Sequence, residues 1–116
     1  MRLINLTPHK ITLVTKEGVK RDYYPEGLAR IVSKSSDAGF LSDDEGNTYP
    51  VEFKSFGLVE GIPQPRNGVG YIVSAMVANN PAVRDRDDLY VPNDVQRDPS
   101  NRDNVLGCRS LWRPWK

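Results

Sequence analysis

Short runs of alternating apolar and polar residues, interrupted by turn residues, make up most of this chain. The runs at residues 10–15 (KITLVT) and 48–63 (TYPVEFKSFGLVEGIP) show the two-residue period of a β-strand. Further strand-like runs cover residues 3–6, 19–24 and 28–33. Proline and glycine, nine of each, are frequent between the runs. The pattern therefore predicts many short strands joined by turns.

The longest polar stretch, SKSSDAGFLSDDEGN at residues 33–47, separates two of these runs. Its end, Asp43–Asn47, has the composition of a turn. The acidic residues lack the regular ligand spacing of an EF-hand loop, so we predict no metal site there. Phe40 and Leu41 interrupt the polarity, and we expect them to pin a loop or short strand to the core.

The segment GYIVSAMVANNP contains the one helix that the pattern predicts. Residues 71–73 form a compact apolar strand, and Ser74 is of a type that caps helices. A short helix is therefore predicted around residues 74–80, ended by Pro81.

These elements predict a mainly β (or α+β) fold, a small compact β-barrel or sandwich of six to eight short strands with one short helix around residues 74–80. Residues 95–98 and 105–112 flank a polar turn and predict a closing hairpin. The chain has 116 residues, of which 38% are hydrophobic, enough for one modest core. We therefore predict a single globular domain over residues 1–116.

Charge and cysteine content exclude several classes of protein. Sixteen Lys and Arg residues against 15 Asp and Glu residues give a net charge of +1, so duplex nucleic acid is not an expected partner. The single cysteine, Cys108, excludes an intrachain disulfide and a thiolate zinc site, and we predict neither a metal nor a cofactor. One cysteine and no signal peptide indicate the cytoplasm, and no apolar run is long enough to span a membrane.

His9, the one histidine, follows Pro8 in a Thr-Pro-His corner. Proline stiffens this corner, which we predict to be a rigid hairpin turn. No nucleophile-elbow motif accompanies the histidine, and Cys108 lies in an apolar run typical of a buried, inert thiol. We therefore predict no catalytic residue, and a small hydrolase with His9 as general base ranks last among the functions considered.

One set of residues has the chemistry to bind an anion. A helix N-terminus capped by Ser74 would present backbone N–H groups to a phosphate or carboxylate. Arg84 and Arg86, in the charge run RDRDD, carry guanidinium groups that clamp phosphate with two donors. His9 and Tyr71 are candidate edge contacts. An internally satisfied cap and a solvated run of ion pairs are the alternatives.

The C-terminal segment 112–116 interleaves aromatic and basic residues: Trp112, Arg113 and Trp115. Such a segment can stack on single-stranded bases. Two tryptophans are also unfavourable in water, which favours docking on the chain's own core or on a partner. We therefore predict that these three residues form an interface.

Four motifs resemble those of a family of small uncharacterised proteins found in phages and prophage-bearing bacteria. The motifs are NLTPH (5–9), YIVSAMVA (71–78), RDDLYVP (86–92) and LGCRSL (106–111). The resemblance runs over most of the length. It implies a phage-associated accessory protein of the host cytoplasm. Small phage proteins of this size often bind host molecules, including the nucleotide signals of bacterial immunity.

Two binding functions lead the interpretation. The first is a non-enzymatic protein, expected to be a homo-oligomer, that sequesters an anionic nucleotide-like small molecule of host defence. The second is a protein–protein interaction module that binds a host or virion protein through residues 112–116, with the charge runs setting specificity.

Overall fold

The structure, a computed structural model, describes residues 1–115 apart from the side chain of Phe56. Over this part, strands dominate, and a four-residue helix, α1 (Ala75–Ala78), and a 3-10 turn (Pro81–Val83) follow the sixth strand. The strands are β1 (Arg2–Asn5), β2 (Ile11–Val14), β3 (Lys20–Tyr23), β4 (Arg30–Ser42), β5 (Thr48–Glu60), β6 (Val69–Ile72), β7 (Leu89–Asp98) and β8 (Asn101–Trp112). The predicted mainly β fold with one short helix is confirmed.

Six strands form one mixed sheet that is nearly closed into a barrel, in the order β1-β6-β7-β8-β2-β3. β1, β6 and β7 run parallel, whereas β8 is antiparallel to β7 and parallel to β2. A bridge between Asn5 and Pro25 joins β1 to the segment after β3, which brings the two ends of the sheet together. The antiparallel pairing of β7 with β8 confirms the predicted closing hairpin.

The hydrophobic core lies against β6, the central one of three parallel strands. Tyr71, Ile72 and Val73 are completely buried, which explains why this segment is a continuous apolar run rather than an alternating one. The remaining core residues come from β1, α1, the 3-10 turn, β7 and the residues directly after β1 and before β4: Ile4, Leu6, Ala29, Val77, Ala78, Val83, Leu89 and Val91. Ile31 and Val59 pack against this cluster and anchor the base of the β4–β5 hairpin.

Asn5 organises the corner between β1 and β2. Its buried Nδ2 donates hydrogen bonds to His9 O (2.7 Å) and Tyr23 O (2.8 Å), and its Oδ1 accepts from Thr7 N (2.8 Å) and Thr7 Oγ1 (2.7 Å). The prediction of a hairpin turn here is wrong, because β1 pairs with β6 while β2 pairs with β3 and β8. The corner instead connects β1, at one edge of the sheet, to β2, which lies next to the opposite edge strand β3.

β4 and β5 form a separate two-stranded sheet, and each strand is 13 residues long. β4 includes most of the polar stretch 33–47, for which the sequence predicts a turn at its end and a loop or short strand at Phe40 and Leu41. The expectation that Phe40 and Leu41 reach the core is wrong, because these side chains are 75% and 61% exposed. β5 ends at Glu60, and the next residue, Gly61, has a φ of 91° and lies so close to Leu28 O that only glycine fits there.

Candidate ligand-binding groove

Of the five predicted ligand contacts, Tyr71 and Arg86 lie close together, but the five do not form one site. The His9 side chain is exposed at the β1–β2 corner, whereas Tyr71 is 0% exposed and belongs to the core. Ser74 caps α1, with its Oγ accepting from Val77 N at 3.4 Å. The cap and the short helix are as predicted, but a helix of four residues sums too few peptide dipoles to hold an anion by its N-terminus alone.

Arg86 is held within the fold by three hydrogen bonds. Its Nε and Nη2 donate to the two carboxylate oxygens of Asp88 at 2.9 and 2.8 Å, and Nη2 also donates to Pro63 O at 2.9 Å. The guanidinium lies 5.9 Å from the centre of the Tyr71 ring. The predicted phosphate clamp is therefore a positioning contact that ties the 63–68 loop to the start of β7.

Arg84 lines an open cavity of about 490 Å³ beside the 3-10 turn. Asp85 lines the same cavity, so the charge of the one arginine is offset there. Asn80, Pro81 and Ala82 supply much of the remaining wall, and no aromatic side chain among the described residues contributes to it. This cavity has no net preference for an anion.

A second cavity, of about 400 Å³, has a different charge and shape. We call it the Arg66–Arg113 groove. It lies where the 63–68 loop and the first residues of β6 and β7 meet the segment after β8. Its walls are formed by Met1, Pro65, Arg66, Asn67, Gly68, Val69, Asp87, Asp88, Tyr90 and Arg113.

The groove carries more unpaired positive than negative charge. Neither Arg66 nor Arg113 forms a side-chain hydrogen bond or ion pair with the part of the chain that the structure describes. Of the two carboxylates in the wall, Asp88 is neutralised by Arg86. Asp87 alone opposes the two arginines, so the groove has a net positive charge.

Tyr90 supplies an aromatic wall to the groove, and Gly70 sets its position. A Cβ at Gly70 would lie 2.8 Å from Tyr90 Cε2 and 3.1 Å from Leu3 Cδ2. The absence of a side chain at Gly70 therefore lets the half-buried ring lie against β6. An aromatic ring beside two guanidinium groups suits a planar, anionic molecule.

The C-terminal segment reaches the groove because its tryptophans lie on the chain's own core. Trp115 Nε1 donates to Ala78 O at 2.6 Å, which satisfies a carbonyl at the end of α1. Trp112 packs partly buried against the core cluster. Arg113, between them, is exposed on the groove. Lys116, the last residue of the predicted interface segment, lies outside the described residues.

Over residues 1–115, no group of three or more His, Cys, Asp or Glu side chains is placed to hold a metal ion. Cys108 is buried, and desolvation, reinforced by the charge of Asp94, raises the pKa of its thiol. The thiol is therefore protonated at neutral pH and is a poor nucleophile. In the same part of the chain no helix is long and apolar enough to cross a membrane.

Comparisons with protein-family models, with curated proteins and with solved structures find no match to this chain. Function must therefore be argued from the geometry and charge of the groove. Sequence reasoning placed Arg113 at an interface and overlooked Arg66. The signal for Arg66 was its position in PQPRNG, a stiff loop directly before the buried strand β6.

Proposed function

We propose that this chain is a non-enzymatic binding protein that holds an anionic small molecule in the Arg66–Arg113 groove. The observation that supports the proposal is a pair of arginines, without side-chain partners within residues 1–115, on a groove that also carries an aromatic ring. Each guanidinium can donate two parallel hydrogen bonds to a phosphate or carboxylate. Together they would bind a group of two or more negative charges more tightly than either could alone.

A nucleotide-like molecule is the ligand class that fits these features together. The groove volume of about 400 Å³ lies within the range of small-molecule sites. Tyr90 offers a ring for a base to contact, and Arg66 and Arg113 offer guanidinium groups for its phosphates. The proposal retains the setting that the resemblance implies, a phage-associated protein of the host cytoplasm that sequesters such a molecule.

The test consists of two separate calorimetric titrations of the full chain, one with ADP and one with inorganic pyrophosphate. We expect both probes to bind, and ADP to bind more tightly because it also contacts Tyr90. Arg66→Gln and Arg113→Gln should each weaken ADP binding about tenfold or more, the loss expected for one charge-assisted pair. Arg102→Gln, which makes the same charge change outside the groove, is the matched control and should bind like the unaltered chain.

Three results would contradict the proposal. The first is that neither probe binds the unaltered chain. The second is that the Arg66→Gln/Arg113→Gln double variant binds ADP as tightly as the unaltered chain does. The third is that Arg102→Gln weakens ADP binding as much as the groove variants do. The last result would indicate a diffuse attraction to surface charge rather than a built groove.

A further inference from the structure

The outer part of the β4–β5 hairpin, residues 34–55, projects from the core and exposes large apolar side chains. We call this part the hairpin arm. A two-stranded sheet without a packed face is only marginally stable in water. Monomeric proteins also rarely expose a contiguous apolar surface without a binding role. The arm is therefore expected to have a partner.

The strand register shows that the apolar side chains concentrate on one face of the arm. Leu41 pairs with Tyr49, and Ser36 pairs with Phe53, so each pair shares a face. Alternation along β5 adds Val51 to the same face as Tyr49 and Phe53. We call Leu41, Tyr49, Val51 and Phe53 the apolar stripe. They are 61%, 51%, 38% and 68% exposed, respectively.

We propose that the apolar stripe binds the stripe of a second copy of this chain, with the two arms packed face to face and antiparallel. The proposal does not depend on the Arg66–Arg113 groove. A two-fold symmetric interface requires a surface that is complementary to itself. The order of residues along this face meets that requirement.

Charge along the stripe face supplies the complementarity. Lys34 lies on this face at the end nearest the core, because it shares its face with Ser36. The opposite end is the turn with Asp43, Asp44 and Glu45. From the core outwards, the stripe face therefore presents Lys34, then Phe53, Val51 and the Leu41–Tyr49 pair, and finally the acidic turn.

A two-fold axis through Val51 matches each of these positions with a complementary one. Phe53 of one copy then meets the Leu41–Tyr49 pair of the other, and Lys34 meets the acidic turn. At the usual rise per residue of a strand, Lys34 lies about 20 Å from Leu41, so it lies at the opposite end of the stripe from the acidic turn. Both ends of this interface therefore gain an attraction between opposite charges.

The other face of the arm is unsuited to the same pairing. Asp37 and Glu52 lie directly opposite each other there, next to the Phe40–Pro50 pair. A two-fold axis at the centre of this face would set the Asp37–Glu52 pair of one copy on the Phe40–Pro50 pair of the other, which would bury carboxylates against an aromatic ring at a cost in free energy. Phe40 therefore provides a matched control, since its side chain is even more exposed than that of Phe53.

The test is the mass of the full chain in solution, measured by sedimentation equilibrium. We expect the mass of two chains for the unaltered protein and for Phe40→Glu, and the mass of one chain for Phe53→Glu. Circular dichroism shows whether each variant keeps its β-sheet signal. The proposal is overturned if the unaltered chain is a monomer at all concentrations, if it forms a trimer, or if Phe53→Glu and Phe40→Glu behave alike.

A charge exchange tests the antiparallel arrangement without disturbing the stripe. Lys34→Glu should weaken the dimer, and so should the Asp44→Lys/Glu45→Lys double variant. Combining all three changes should restore dimerisation, because the exchanged charges meet again across the two-fold axis. A combined variant that is weaker than either parent would contradict the antiparallel arrangement.

Discussion

At the scale of single residues, Asn5 does more for this fold than the histidine of the same motif. Its amide bridges the corner to β3 through His9 O and Tyr23 O, while its carbonyl orders Thr7. The His9 side chain is exposed, and His9 contributes to the corner through its backbone carbonyl, which accepts from Asn5 Nδ2. The NLTPH motif thus describes a hydrogen-bonded corner.

Asn5→Ala should lower the free energy of unfolding by about 2–4 kcal/mol, because it removes four hydrogen bonds at a buried corner. Urea denaturation measures the change. Asn79→Ala is the matched control, since that side chain is exposed and forms no hydrogen bond within residues 1–115, and it should change stability by about 0.5 kcal/mol or less. Equal losses in the two variants would show that the Asn5 network is not a major source of stability.

The sequence shows which residue types are present but not which partners they find. Arg86 in RDRDD was a reasonable candidate to clamp a phosphate, yet it binds Asp88, two residues along the chain. The buried position of the pair, with side chains 17% and 11% exposed, explains why internal pairing prevails over an external ligand. Arg66 has no acidic residue close to it in the sequence, and the folded structure shows that its side chain forms no hydrogen bond or ion pair within residues 1–115.

At the scale of secondary structure elements, the turn of the hairpin arm is a hydrogen-bonded unit built on Asp43. Its carboxylate accepts from Asn47 Nδ2 (2.9 Å), Asn47 N (2.8 Å) and Glu45 N (2.9 Å). The pKa of Asp43 is lowered from its ordinary value of 3.8, mainly because the Asn47 side chain donates a hydrogen bond to its carboxylate. The ionised carboxylate is therefore the form that orders the turn.

The turn should loosen in acid. Because the folded-state pKa of Asp43 is lowered, its contribution to the turn is complete above 3.8 and is lost as the pH falls through the lowered value. Hydrogen exchange or NMR shifts of the Glu45 and Asn47 amides should report this transition. Asp43→Asn should abolish it, whereas Asp44→Asn should leave it intact. A transition that persists in Asp43→Asn would assign it to another group.

Element predictions from the pattern succeeded where apolar and polar residues alternate, as in β2 and β5, and failed in the polar outer part of β4. KITLVT, YIV and the closing hairpin pack on the sheet or core, and their apolar pattern reveals them. β4 extends through SKSSDAGF because it pairs with β5 by backbone hydrogen bonds, which need no apolar alternation. The polar composition of residues 33–42 therefore does not by itself predict a long strand there.

At the scale of the whole molecule, the chain is more elongated than the compact domain that was predicted. It measures 61 × 41 × 24 Å, and its radius of gyration is 18.6 Å, against roughly 13 Å for a compact chain of this length. Composition indicated one modest core correctly, since the buried cluster is single and small. It gave no sign that the hairpin would extend beyond that core.

The measurement that tests the central claim most directly is an amide NMR titration of the full chain with ADP. We expect changes in amide chemical shift concentrated at residues 66–70, 87–90 and 113, which surround the groove. Residues 80–85, around the cavity with offset charges, should stay unchanged. Changes centred on residues 80–85, or no changes at saturating ADP, would contradict the assignment of the Arg66–Arg113 groove as the ligand site.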